Sequence, residues 1–275
     1  TPNTSSAASD VYKRQIYSVS GGEMNLRLIL IFFVAFPFAG YAQIETNSFS
    51  NLAEEVIVTA RKREENSQSV PISISAFTGE TIEQIGIYTY EDLDRISPNL
   101  QVVKNGAYGT AAVTIRGVGG SGISVTSESQ AATYIDGAYI PRTQGNFLDL
   151  WDLNRVEVLK GPQGTLFGKN STVGAVSFFY NKPSFDSQNY KIRVGAGTDS
   201  RNELALMANL PISDFTALRF SYSQEKQDGY IYNTTRNEFS GALDAETIRL
   251  SGVYKLSEDI NVFLSHVNYN RDGSS

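Results

Sequence analysis

Three glycines with nucleotide-site spacing, Gly117, Gly119 and Gly122, are the most chemistry-like pattern in the chain, and Asp136 follows where such sites place a ribose-binding carboxylate. A dinucleotide site needs the third glycine to open a helix whose amides receive the pyrophosphate. Here Gly122 runs instead into Ile123 to Ser129, β-branched and polar with no helical apolar face, which argues against that chemistry. Gly164 to Lys169 fails as a phosphate loop: Gly164 and Gly168 enclose only Thr165 to Phe167, and Asn170 stands where Ser or Thr is required. The chain has no cysteine and a single histidine, His266, so thiol nucleophiles, thiolate metal sites and multi-histidine clusters are excluded. No nucleophile stands in a pattern with a base, so no catalytic residue, metal or cofactor is expected.

The elements that would position such residues read as β-structure. The 275 residues hold 41% hydrophobic residues, 15 Tyr, 15 Phe and 23 Gly, and a net charge of -6 leaves no basic footprint for nucleic acid. Val156 to Leu159 reads as a strand; a Gly161-Pro162 turn and a glycine-rich crossing follow, then a second strand, Gly174 to Tyr180, which stops before Pro183. Upstream, Pro71 to Phe77 alternates as a strand. Thr78 caps a short helix, Glu80 to Ile85, and Gly86 ends it. Thr89 with Asp92 caps a second helix up to Ile96. Phe147 to Leu153 forms a short helix or turn that places Trp151 in the core.

From Tyr190 the pattern changes. Tyr190, Ile192, Val194 and Ala196 alternate with Lys191, Arg193 and Gly195; Leu204, Leu206, Ala208 and Leu210 alternate with Glu203, Ala205, Met207 and Asn209; Leu218, Phe220 and Tyr222 alternate with Arg219, Ser221 and Ser223. Aliphatics on one face and charges on the other suit a lipid-facing, water-lined barrel wall, although a soluble β-sandwich gives similar alternation. Short junctions at Pro211 to Asp214 and Ser257 to Asp259, with a long polar loop from Gln224 to Ala245, suggest two unlike ends. About five strands fit, too few to close a barrel.

Near the start, Met24 to Arg27 is a short basic head, Leu28 to Ala39 an apolar run, and Gly40 to Gln43 a small-x-small exit. This predicts a secretory signal peptide, residues 24–42, cleaved after Ala42; the run is short for a membrane helix and contains Pro37. Residues 1–23 are then a non-native upstream segment without organised structure. Glu55, Val56, Ile57, Val58, Thr59 and Ala60 form a brief β-prone segment followed by charge, Arg61 to Gln68. Alone it reads as an ordinary first strand, yet such a segment can also pair with the edge of another protein's sheet.

The stretch Arg155 to Pro183 resembles the end of the plug domain in TonB-dependent outer-membrane receptors: Arg155, Glu157, Gly161, Pro162, Gly164, Leu166, Phe167, Gly168, Ser171, Gly174 and Val176 match that pattern. Ile115-Arg116-Gly117 and Tyr134 to Gly137 match two further plug motifs. Val173 departs, standing where the first of two glycines is usual, as do Phe178 and Phe179 in place of an aliphatic pair. The resemblance implies an α+β plug domain at residues 69–183, behind a periplasmic tail with the TonB box at 43–68, followed at 184–275 by the first strands of an incomplete antiparallel transmembrane β-barrel. It implies TonB as partner of Glu55 to Ala60, outer-membrane lipid around the wall, and uptake of a ferric siderophore, or else cobalamin or an oligosaccharide. Arg116 and Lys160 would then lie at the plug–barrel interface opposite barrel carboxylates, Lys160 with the weaker grip because it lacks the guanidinium fork. Asn105, Tyr108, Ser121 and Ser124 would lie on cargo-facing plug loops, which equally read as plain solvent-exposed loops.

Overall fold

The computed structural model describes residues 13–20, 56–59, 63, 65–105, 110–119, 129–141 and 149–273. In chain order the strands are β1 (Lys13–Ser20), β2 (Ile57–Val58), β3 (Glu65–Asn66), β4 (Ser73–Thr78), β5 (Leu100–Asn105), β6 (Thr110–Ile115), β7 (Ala131–Ile135), β8 (Ala138–Ile140), β9 (Leu153–Lys160), β10 (Gly174–Tyr180), β11 (Asn189–Ala196), β12 (Asn202–Ser213), β13 (Thr216–Gln227), β14 (Ile231–Asn233), β15 (Glu238–Ser240), β16 (Leu243–Lys255) and β17 (Asn261–Asp272). Helical turns are α1 (Gly79–Gln84), a 3-10 helix (Glu91–Arg95) and α2 (Gly164–Phe167).

Two sheets organise the molecule. The first has the order β4-β9-β10-β7-β8, with β7 and β10 parallel and every other neighbour antiparallel. Val156 and Val158 of β9 face Phe178 and Val176 of β10 in register, and with Ile82, Leu93, Val113 and Leu150 they form the main core. α1 starts because the Thr78 side chain accepts the Thr81 amide at 3.2 Å. The Asp92 carboxylate reaches back to the Thr89 amide at 3.1 Å and its hydroxyl at 2.9 Å, which starts the 3-10 turn. Gly174 is irreplaceable in backbone terms. Its φ is 151°, and a Cβ there would sit 2.2 Å from the Leu159 carbonyl oxygen. Val173 meets no such constraint and packs its side chain on the core.

The second sheet, β1-β11-β12-β13-β16-β17, is antiparallel throughout and open. Its faces are inverted relative to a soluble sheet. Arg193 is 2% exposed and its neighbour Val194 47%; Arg249 is 4% exposed and Leu250 51%. Asn209, Ser221, Ser223 and Ser251 share the covered face, while Tyr190, Leu204, Leu218, Phe220 and Leu264 stand outside. This is the polarity of a barrel wall whose inner surface carries the plug and whose outer surface meets hydrocarbon. Among the described residues no helix is long and apolar enough to cross a membrane.

Three expectations differ from the structure or fall outside it. Residues 1–23 were read as unorganised, whereas β1 pairs with β11 over its whole length, from Lys13↔Ala196 to Ser20↔Asn189. An unpaired barrel edge presents a row of amides and carbonyls that an extended, β-prone segment can satisfy, and no local pattern announces that pairing. The polar stretch Gln224 to Ala245 is not all loop. β13 continues to Gln227, β16 begins at Leu243, and a β14–β15 hairpin fills the middle. Ladder pairs such as Gln224↔Glu246 and Lys226↔Asp244 carry the strands beyond the apolar band. The expected signal peptide at 24–42, and Phe147 and Leu148, lie outside the described residues.

Candidate functional site

Alternate residues of β9 look in opposite directions. Val156 and Val158 enter the core, and Arg155, Glu157 and Leu159 present a second face. Val56 to Thr59, the described part of the β-prone segment, lies on that second face. Val58 is fully buried against Leu159 and Val70. Glu157, 1% exposed, accepts the Thr59 amide at 2.8 Å and the Thr59 hydroxyl at 3.2 Å through one oxygen. Arg155 donates to that same oxygen at 2.9 Å and to the Thr59 hydroxyl at 3.1 Å, its guanidinium 3.9 Å above the centre of the Phe179 ring. Among the described residues the segment's ladder is two residues long, Ile57↔Asn66 and Val58↔Glu65, with the Ser67 amide donating to the Val56 carbonyl at 2.9 Å beside it. Glu55 and Ala60 lie outside the described residues.

Val56 and Ile57 also line a cleft of about 1000 Å³ between α1, the start of β9 and the covered face of the wall, where Asn189, Lys191, Met207 and Arg219 complete it. Asn189 pairs with Asn209, four residues before the tight β12–β13 turn begins, so the segment lies at the short-turn end. At the other end a smaller cavity of about 280 Å³ runs between Tyr88, Asp92 and Asp149 of the first domain and Arg201, Glu225 and Tyr269 of the wall.

Four cations of the wall reach carboxylates of the inner domain. Arg219 forks onto Asp152, Nε to Oδ2 at 2.8 Å and Nη2 to Oδ1 at 2.5 Å. Arg249 meets Asp136 and stacks 4.2 Å from the centre of the Tyr180 ring; Lys191 meets Glu83. Arg193 bonds Glu203 within the wall at 2.5 Å, approaches Asp149 at 3.8 Å, and sits over the Tyr88 and Trp151 rings at 4.6 and 4.7 Å. Asp136 and Asp152 hold these positions in left-handed turns, φ 48° and 62°, a conformation Asp tolerates better than most residues. Trp151, buried as expected, donates its ring N–H to the Leu206 carbonyl at 3.0 Å. Burial pushes the Asp149 carboxyl above its ordinary value, with Arg193 opposing.

The charge arrangement is the reverse of the one expected at Arg116 and Lys160. Arg116 is exposed in a turn, and the Lys160 ammonium donates to the Ser75 hydroxyl at 2.8 Å. Burial and then the nearby Arg116 lower the Lys160 pKa. Among the described residues neither meets a wall carboxylate. The carboxylates that do bridge, Glu83, Asp136, Asp149 and Asp152, escape the sequence reading as site residues, although Asp136 stands in the Tyr-Ile-Asp-Gly turn and Arg219 and Arg249 on the polar face of their strands. Asn105 ends β5, and Tyr108, Ser121 and Ser124 lie outside the described residues.

The dinucleotide pattern is overturned. Arg116 and Gly117, φ 56° and 75°, are the two central residues of a tight turn that Ile115 and Val118 close by mutual amide–carbonyl bonds at 2.9 and 3.1 Å. A Cβ on Gly119 would sit 2.5 Å from the Val113 carbonyl oxygen, so this glycine answers to close strand packing and not to a phosphate.

Residues 66–175 match the family model described as TonB-dependent Receptor Plug Domain. The chain is 26% identical over 242 residues to the vitamin B12 transporter BtuB of Vibrio vulnificus, covering 79% of this chain and 36% of that protein. It is 28% identical over 163 residues to the pesticin receptor of Yersinia pestis, covering 58% and 23%. Among solved structures, P. aeruginosa FpvA bound to heterologous pyoverdines aligns with a TM-score of 0.63 at 19% identity, over 78% of this chain and 27% of that one. The E. coli ferric-catecholate import receptor Fiu aligns with a TM-score of 0.60 at 19% identity, over 75% and 28%. At these identities the two structures speak for the fold. The chain spans about a third or less of the length of these curated relatives.

Proposed function

We propose that this chain, whose residues 66–175 match the TonB-dependent Receptor Plug Domain, is part of a TonB-dependent receptor and that the whole protein actively takes up a scarce, bulky nutrient across the bacterial outer membrane. The cargo on this reading is a ferric siderophore, with cobalamin or an oligosaccharide as the alternative. The observation that carries it is the docking of Val56 to Thr59 on the plug at the short-turn end of an inside-out wall. A passive pore needs neither a separate folded plug nor a storable strand beside it.

The residues divide the work as follows. Cargo meets the outer apices of the plug, to which Asn105, Tyr108, Ser121 and Ser124 belong. Glu55 to Ala60 is the TonB box: leaving its dock, it offers main-chain groups to an edge of TonB, and traction on it shifts the plug along the wall. Arg116 and Lys160 face carboxylates of wall strands other than the six of the open sheet. A leader at residues 24–42 directs export. The reacting groups are hydrogen bonds and ion pairs, so no covalent step is involved.

Val58→Pro in the full-length receptor tests the assignment. Proline removes a main-chain donor from the strand that TonB would pair with. Cargo binding at the cell surface should persist while energised uptake falls to background. Uptake at the parent rate would remove the box from this segment.

A further inference from the structure

Two cavities lie one above the other along the covered face of the wall, and a single side chain divides them. Side chains recur on that face at every second residue, so successive rungs across β11, β12 and β13 stand about 7 Å apart. One rung is Arg193, Ala205 and Ser223; the next, toward the short-turn end, is Lys191, Met207 and Ser221. The cavity of about 280 Å³ takes Arg193 and Ser223 from the first rung, and the cleft of about 1000 Å³ takes Lys191 and Met207 from the second. Trp151 lies across both rungs. Its apolar partners are Ala205 and Met207 of the wall, and it stands apart from the plug core around Val156 and Phe178. Arg193 sits 4.7 Å and Lys191 5.3 Å from the centre of its ring, and its N–H bonds the Leu206 carbonyl between the rungs at 3.0 Å. Beside the ring is a space of about 20 Å³ lined by Ser221, Ser223, Thr247 and Arg249, room for about one water.

We propose that Trp151 is a septum: the seam between plug and wall is a polar lane running from the long-loop end to the short-turn end, and this indole closes it to everything larger than water. The duty is a seal against passive leak in the resting receptor, and it holds whichever cargo is carried and whichever partner pulls. Tryptophan suits the position. An aliphatic side chain would set Lys191 and Arg193 against a surface that offers them nothing, whereas the indole presents its π-face to both and finds a carbonyl for its N–H. Around the smaller cavity carboxylates outnumber arginines, and around the cleft the two signs balance. Current through an opened lane would therefore favour cations.

Single-channel recording of the purified full-length receptor in planar bilayers, without cargo or TonB, tests this. Each record comes from one inserted receptor, so misassembled protein does not contribute. The parent should stay at background. Trp151→Ala should pass a steady, cation-preferring current severalfold above it, and Trp151→Phe, which keeps a ring but loses the N–H, should stay near the parent. Should Trp151→Ala fail to insert, Trp151→Leu decides, with a smaller rise expected. Ser223→Cys separates an opened lane from a loosened plug. In a receptor otherwise free of cysteine, a bulky methanethiosulfonate on that thiol should block the new current, because Ser223 lines both the smaller cavity and the space beside the ring. A parent that already conducts, an inserted Trp151→Ala without added current, an anion-preferring current, or a current the adduct leaves untouched overturns the proposal.

Discussion

Arg219→Met is the sharpest test of how the plug is held in the wall. Arg219 has 11% of its side chain exposed and Asp152 4%, and the fork between them is direct. Removing the guanidinium leaves a buried carboxylate, which costs about 3–5 kcal/mol when no other partner remains. Asp152 does retain one, the Asn181 amide at 3.1 Å, so the lower end applies, about 3 kcal/mol. For a domain of plug size that corresponds to a fall on the order of 10 °C in the plug's thermal transition. Calorimetry of the full-length receptor in detergent reads this. Asp152→Asn, which Asn can occupy at φ 62°, should recover more than half of the loss when combined with Arg219→Met, because the orphaned charge is then gone. A drop under about 2 °C for the single variant, or strict additivity in the pair, would refute the assignment of Asp152 and Arg219 as a coupled plug–wall contact.

Two further outcomes follow from the geometry. Leu250→Lys puts a charge on the lipid-facing side, where the cost is roughly 2–4 kcal/mol near the membrane midplane; lower outer-membrane assembly is expected by immunoblot of heat-modifiable receptor, whereas full assembly would place Leu250 away from lipid. Asp149 has a raised pKa in the folded state, so its stabilising contribution is fully present below its unfolded pKa, about 4, and is lost as pH rises through the folded value. Asp149→Asn removes that titration. The melting temperature of the parent minus that of the variant should therefore decline as pH is raised from about 4, and a rising difference would contradict the burial argument.

Much of the plug was legible because its signals are local. The strand Gly174–Tyr180 has the bounds its flanking residues predict, and the Thr78 cap and the Thr89–Asp92 contact are visible as spacing. The wall's two faces were legible for the same reason, since alternation survives in any register. What escaped depends on partners far along the chain. Thr59 and Glu157 are 98 residues apart, and Arg249 and Asp136 are separated by 113. In these strands the plug–wall contacts run opposite in sign to the pair expected at Arg116 and Lys160, because the left-handed turns at Asp136 and Asp152 set plug carboxylates against wall arginines. β1 escaped because its pairing is determined by the open edge of β11 and not by its own residues.

The composition of the plug–wall contact also bears on movement. Among the described residues its apolar part is small, Trp151 against Ala205 and Met207 and Tyr269 against the plug core, and around it stand ion pairs beside an open cleft. An apolar seam of the same extent would cost about 25 cal/mol per Å² to open, with nothing regained from water. Ion pairs behave differently. Breaking one by deletion leaves a buried charge, but parting both members into a hydrated lumen returns each to solvent, and the desolvation penalty they carried offsets the attraction lost. Such contacts therefore fix where the plug sits without making it costly to shift. A wall lined with Lys191, Arg193, Arg219 and Arg249 is suited to hold a globule in register and to let it shift along the wall.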